Sequence, residues 1–363
     1  MLRNKLEIIL YAGKDLKMRK FIFGVTILLL AILLGCSPQV QAPPYTNPPT
    51  SQPAETTPPP QGNTETPITT TVVPAKPQGK IAFMDYRTDK YGLDIYVMNS
   101  DGTNIEDITK SGSRDVWPTW SPDGTKIAFG SIREWHTMRS IYVMDADGKN
   151  VNCLTPEKTD CEFPAWSPDG KKIAYCSSKL ASHGMEYMAL DIFVMNTDGT
   201  DKIPVTQHGE ITTNACPSWF PDSQRIAYVS NREGLWQIYS INSDGSDARK
   251  YDVCIGHQCG LKYPSGYFPV IAVSPDGASI AFDYLDVLGR KDIYILSINN
   301  GEIKNLTNEI AGNSYGPSWS PDGKKIAFAS EIAHDTGIFI MDIEGNNKPK
   351  FTQQYGDLPA WSK

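Results

Sequence analysis

Histidine, positive charge and long apolar runs are all scarce in this chain, and each shortage closes off a class of function. Only five histidines occur in 363 residues. No Cys or His pair stands at zinc-site spacing, because the single C-x4-C, Cys254 to Cys259, has no second pair to complete it. Lys and Arg number 34 against 41 Asp and Glu, a net charge of −7. Beyond Cys36 the balance is 28 basic to 39 acidic, or −11. An acidic chain without a basic stripe argues against nucleic acid as a partner. The longest apolar run, Phe21 to Leu34, has 14 residues, whereas a membrane-crossing helix needs about 20.

That run instead reads as the core of a signal peptide. Met18-Arg19-Lys20 supplies the basic start and is the expected true start of translation, and Leu33-Leu34-Gly35-Cys36 closes the segment. The closing tetrad resembles the lipobox of bacterial lipoproteins, which implies cleavage before Cys36 and lipidation of its thiol. Residues 1–35 are therefore expected to be signal peptide, and the domain to lie outside the cytoplasm, lipid-anchored to the cell membrane or envelope. Ser37 to Gln78 holds twelve Pro and nine Thr. Such a composition cannot bury enough apolar surface to offset ordering entropy, so residues 36–78 are expected to be an extended tether.

From Gly79 onward one pattern recurs six times: P-x-W-S-P-D-G-x-K-I-A-F, a variable stretch, I-Y-V-M, x-x-D-G and L-T. The K-I-A-F element falls at Lys80, Lys126, Lys172, Arg225, Ser279 and Lys325. The I-Y-V-M element follows at Ile95, Ile141, Ile192, Ile238, Ile293 and Ile338. About 46 residues with four short β-type runs per unit predicts an all-β, six-bladed β-propeller of four-stranded antiparallel blades over residues 79–363. Runs apolar at successive positions suit a blade covered on both faces. Ala82, Ala128, Ala174, Ala227, Ala281 and Ala327 share one slot, which predicts close approach of neighbouring sheets. Trp120, Trp166, Trp219, Trp319 and Trp361 end five inner strands and read as packing groups, with Val273 in the fifth unit.

The first unit starts without its inner strand, and Pro359 to Lys363 supply an orphan one. Pairing of the C-terminal strand with the N-terminal strands would close the ring and remove its open edges. A ring closed on itself is expected to be monomeric.

In such blades the SPDG and x-x-D-G turns share one face, and the longer, uneven connections share the other. Irregular loops on a rigid scaffold are where binding concentrates, so the variable face is the expected functional face. All five histidines fall there. His136, His183, His208 and His334, with Glu134, Glu210 or Asp335, are the candidate ligands of a divalent metal; no cofactor is otherwise expected. Trp135, Trp236, His257, Tyr263 and Tyr267 are the candidate docking residues. Cys254–Cys259, Cys153–Cys161 and Cys176–Cys216 are the expected disulfides. Gly312-Asn313-Ser314-Tyr315-Gly316 matches the G-x-S-x-G nucleophile pattern but lacks the strand-to-helix elbow that pattern requires. The Asp-Gly turns lack the downstream Glu of a calcium loop.

The W-S-P-D-G-K-K-I-A-F run, as at Trp166 to Tyr175 and Trp319 to Phe328, resembles the TolB-type WD40-like repeat. The same repeat builds the propellers of dipeptidyl peptidase IV and prolyl oligopeptidase relatives. The resemblance implies a scaffold that docks an envelope or extracellular protein or ligand. The triad of those peptidases sits on a separate hydrolase domain. The alternative it implies is a metal-dependent polysaccharide lyase or hydrolase with a site in the central funnel.

Overall fold

A computed structural model describes residues 79–362 except 87–91, 134–137, 157–159, 179–188, 208, 210–211, 256–257, 262–267, 287, 333–334, 347, 351 and 353–355. The expected signal peptide, Cys36 and the expected tether lie outside the described residues.

Six blades follow the six repeats. Blade 2 runs outward as Arg114–Trp120, Lys126–Ile132, Ser140–Asp145 and Asn152–Cys153. Blade 3 is Cys161–Trp166, Lys172–Ser178, Leu190–Asn196 and Ile203–Pro204, and blade 4 is Asn214–Trp219, Arg225–Ser230, Gln237–Asn242 and Arg249–Tyr251. Blade 5 comprises Ile271–Val273, Ser279–Leu285, Lys291–Ser297 and Ile303–Asn305. Among the described residues blade 6 has three strands, Asn313–Trp319, Lys325–Ile332 and Asp335–Asp342, with one further bridge between Phe339 and Lys350.

Blade 1 takes its inner strand from the far end of the chain. Asp357–Trp361 pairs antiparallel with Lys80–Tyr86, setting Ile81 against Trp361 and Ala82 against Ala360. Leu93–Asn99 and Glu106–Asp107 complete it. The Lys80 amide donates to Ser362 Oγ at 2.6 Å and the Ser362 amide to the Lys80 carbonyl at 2.8 Å. The expected closure is thus formed.

The repeat letters resolve into contacts. The six shared Ala residues have no exposed surface. The aromatic of K-I-A-F stacks on that of I-Y-V-M in the same blade, as in Phe129–Tyr142 at 5.8 Å and Tyr228–Tyr239 at 5.7 Å. The Thr of L-T accepts, through Oγ1, the amide of the Ile that opens I-Y-V-M: Thr109 from Ile95, Thr155 from Ile141, Thr206 from Ile192, Thr307 from Ile293 and Thr352 from Ile338. Blade 4 lacks that Thr, and the Gln237 side chain accepts the Val253 amide instead. Three of the Trp indoles staple neighbouring inner strands: Trp120 donates to the Ala360 carbonyl, Trp219 to Ala165 and Trp319 to Ala272, whereas Trp166 Nε1 is buried without a partner.

Candidate functional site

The inner strands converge on an axial cavity of about 190 Å³. Each blade contributes one short segment to its wall, among them Trp117-Pro118-Thr119, Phe163-Pro164-Ala165 and Cys216-Pro217-Ser218. Five of the six segments place Pro in the middle, a residue without an N–H, so this inward edge presents fewer unpaired donors. The residue before each Pro takes a left-handed backbone: φ is 55° at Trp117, 52° at Phe163, 53° at Cys216, 63° at Gly316 and 45° at Leu358. At each of these places the pairing register shifts by a bulge. Bulky residues hold such a conformation only where the surroundings enforce it. Blade 5, with Val270-Ile271-Ala272, lacks the Pro, and its inner strand pairs without a shift.

At three of the five bulges the freed amide is received by a side chain of the preceding blade. The Trp117 amide meets Met84 Sδ at 3.2 Å, and the Gly316 amide meets Asp283 Oδ2 at 3.1 Å. The Cys216 amide donates to the Cys176 sulfur. Asp283 also accepts the Val270 amide.

On the variable-face side of this wall lies a rim of carboxylates. Asp115 is wholly buried, accepts from Ser111 and Ser131, and pairs with Arg133 at 2.9 Å. Asp160 and Glu162 share the Arg139 guanidinium, which lies 4.6 Å over the Trp117 ring. Trp117 packs in turn on Phe163 at 4.1 Å. Burial pushes the Glu162 carboxyl up to about 7, opposed by Arg139 and reinforced by Asp160. Burial likewise pushes Asp357 up to about 6, with the Leu358 amide and Lys291 opposing and Asp283 adding. Asp357 Oδ1 is buried with no hydrogen-bond partner. Asp160 and Glu162 thus lean on one base, Arg139, while Asp357 Oδ1 stands without a partner, and the charge of this rim is only partly compensated.

Of the docking residues expected from sequence, Trp236 is described, and it is buried. It pairs with Leu261 through both backbone groups and packs edge-on against Phe268 at 5.6 Å, because the connection after blade 4 folds back over it. His136, His183, His208, His334, His257, Trp135, Tyr263, Tyr267, Glu134 and Glu210 lie outside the described residues. Asp335 opens the third strand of blade 6. Among the described residues no three His, Cys, Asp or Glu side chains gather where they could hold a metal ion.

Cys254 and Cys259 form the expected disulfide, which closes a two-stranded hairpin. Cys153 and Cys161 do not pair. Cys153 is exposed on the outermost strand of blade 2, whereas Cys161 is buried on the innermost strand of blade 3 and faces the Ser177 hydroxyl. The blade's radius separates them. Cys176 and Cys216 sit side by side as thiols. Ser314 of the G-x-S-x-G match is buried and shares a hydrogen bond with Ser330 on the neighbouring strand, so it is a core group.

The model of the TolB beta propeller domain matches residues 70–190 and 164–259, together more than half of the chain. The chain belongs to the TolB β-propeller family. TolB from Acinetobacter baumannii superposes on this TolB-type propeller with a TM-score of 0.63 at 23% identity, covering 80% of this chain and 68% of that one. The putative TolB of Agrobacterium tumefaciens gives 0.57 at 20% identity, covering 77% and 90%. Dipeptidyl-peptidase 5 of Porphyromonas gingivalis is 28% identical over 331 residues, which is 79% of this chain and 48% of that protein. The uncharacterized peptidase YuxL of Bacillus subtilis is 29% identical over 168 residues, 39% of this chain and 25% of its own length. The chain thus spans at most about half the length of these sequence relatives.

Proposed function

We propose that this chain is a binding propeller, held outside the cytoplasm by lipidated Cys36, that docks a protein or ligand on its variable face at the mouth of the axial channel. The observation that carries the reading is the rim of partly buried carboxylates in which Asp160 and Glu162 share Arg139 while Asp357 keeps an unpartnered buried oxygen. Groups desolvated beyond what their neighbours compensate are costly for a fold to keep, and that cost is recovered when a guest supplies the missing partner. The bulge residues Trp117, Phe163 and Leu358 give such a guest an apolar wall. Membership of the TolB family is consistent with a docking scaffold. The peptidase names belong to relatives of which this chain spans a quarter to a half.

A photo-crosslinking residue placed at Leu288, 90% exposed in a variable-face loop of blade 5, tests the reading against the same residue at Lys171 in an SPDG turn. In the producing cell, a discrete adduct from position 288 and none from 171 is expected. Equal adducts, or one from 171 alone, would overturn it. Release of the Cys36→Ser chain from the membrane fraction is the matching test of the anchor.

A further inference from the structure

We infer that Cys176 and Cys216, which stand as neighbouring thiols in this structure, become joined by a disulfide when the chain folds in the presence of a disulfide donor, and that this bond clasps blades 3 and 4 at the wall of the axial channel. The two cysteines occupy a pair of slots that the repeat brings together at other blade junctions. One slot lies two residues after the shared Ala, on the second strand; the other is the bulge residue of the next blade's inner strand. In the same slots Met84 meets Trp117 and Asp283 meets Gly316, each through the bulge amide. At the junction of blades 3 and 4 both slots hold sulfur, and the Cys216 amide donates to the Cys176 sulfur.

Both residues belong to one buried cluster with Ala174, Ile192, Ala215 and Tyr228. Glu162 stands opposite Cys176 in the strand pairing, and Cys216 lines the axial cavity. The clasp would therefore fix the channel wall beside the acidic rim, and it stands independently of any ligand bound there.

The oxidant is a disulfide donor, such as oxidised glutathione or the disulfide of a protein thiol oxidase. One cysteine thiolate attacks a donor sulfur, forming a mixed disulfide and expelling one donor thiolate. The second cysteine attacks the mixed disulfide, forms the Cys176–Cys216 bond and expels the other. The cysteines lose two electrons and two protons, which leave on the reduced donor. In the closed propeller burial pushes both thiols well above their usual range, so they stay protonated and inert. Attack therefore precedes closure of the junction, which makes the bond a folding staple.

The full chain, unfolded and reduced, is refolded in oxidised and reduced glutathione, quenched with acid, alkylated and mapped by peptide mass spectrometry. A cross-linked peptide joining Cys176 to Cys216, with Cys153 alkylated, is expected. Recovery of Cys176 and Cys216 as alkylated thiols, or bridged to other cysteines, overturns the inference whatever the state of Cys254 and Cys259. In a chain carrying Cys254→Ser and Cys259→Ser, reductant is expected to lower the melting temperature by several degrees; no change would remove the staple role.

Discussion

On the SPDG face Asp123 accepts from Ser121 at 2.6 Å and from the Thr125 amide at 3.0 Å, and these bonds hold its carboxyl at about 2. At the channel mouth burial drives the Glu162 and Asp357 carboxyls the other way, to about 7 and about 6. The chemistry of the side chains is the same; what differs is where their partners come from. Each SPDG turn supplies its own, since Ser167–Asp169, Ser274–Asp276 and Ser320–Asp322 repeat the bond within two residues. The mouth draws partners from other strands, so its charges are desolvated by packing before they are satisfied by design of any one turn.

The contrast breaks most completely at the closing strand, which carries Asp357. Removing Pro359 to Lys363 deletes the partners of Ile81 and Ala82 and the carbonyl that receives the Trp120 indole. A loss of more than about 4 kcal/mol is expected, in the range kept for core disruption; an unchanged melting temperature would refute the closure argument. Next comes Thr206→Val. Thr206 Oγ1 accepts the Ile192 amide and donates to Asp191, which also receives Asn214 from the next blade. Leaving a buried carboxylate and amide short of partners is expected to cost about 2–3 kcal/mol in denaturant unfolding.

The pH dependence sharpens the comparison. Glu162 and Asp357 hold their protons more tightly folded than unfolded, so the folded state binds more protons between their unfolded and folded values. Their effect is a stability that falls as pH rises from about 4 to about 7, and none of it is present above that window. Glu162→Gln is expected to flatten this slope by about 1–2 kcal/mol, measured by unfolding at a series of pH values. A slope as steep as that of the parent chain would show that Glu162 does not carry it. The smallest effect is expected on the other face. Thr125→Ala removes one exposed turn bond, from Thr125 Oγ1 to Asp123, at a cost of about 0.5–1 kcal/mol, and a larger loss would mean that the turn is not self-contained.

Much of the blade was readable because it is periodic. Ala82 and its equivalents, the Trp staples and the orphan strand all announce themselves by recurring in register. Blade 5 even advertises its departure: Val273 replaces Trp, and the same inner strand lacks the Pro and the bulge. The Pro of P-x-W was also in plain view, yet its consequence, a left-handed residue aimed at the axis, depends on a neighbouring sheet to hold it. Trp236 shows the limit most clearly. A Trp in an irregular connection looks like a docking group, but its burial depends on Leu261 and Phe268 packing against it, and no repeat records that.

By itself the sequence determined the blade, its number and its closure, because each rests on a pattern of turns and apolar positions that every repeat states again. Only the tertiary structure decided which carboxylates share a base, which cysteines touch and which aromatic groups are buried. Those outcomes arise between neighbouring blades, where residues 33 to 40 positions apart meet, and local pattern carries no record of the distance between them.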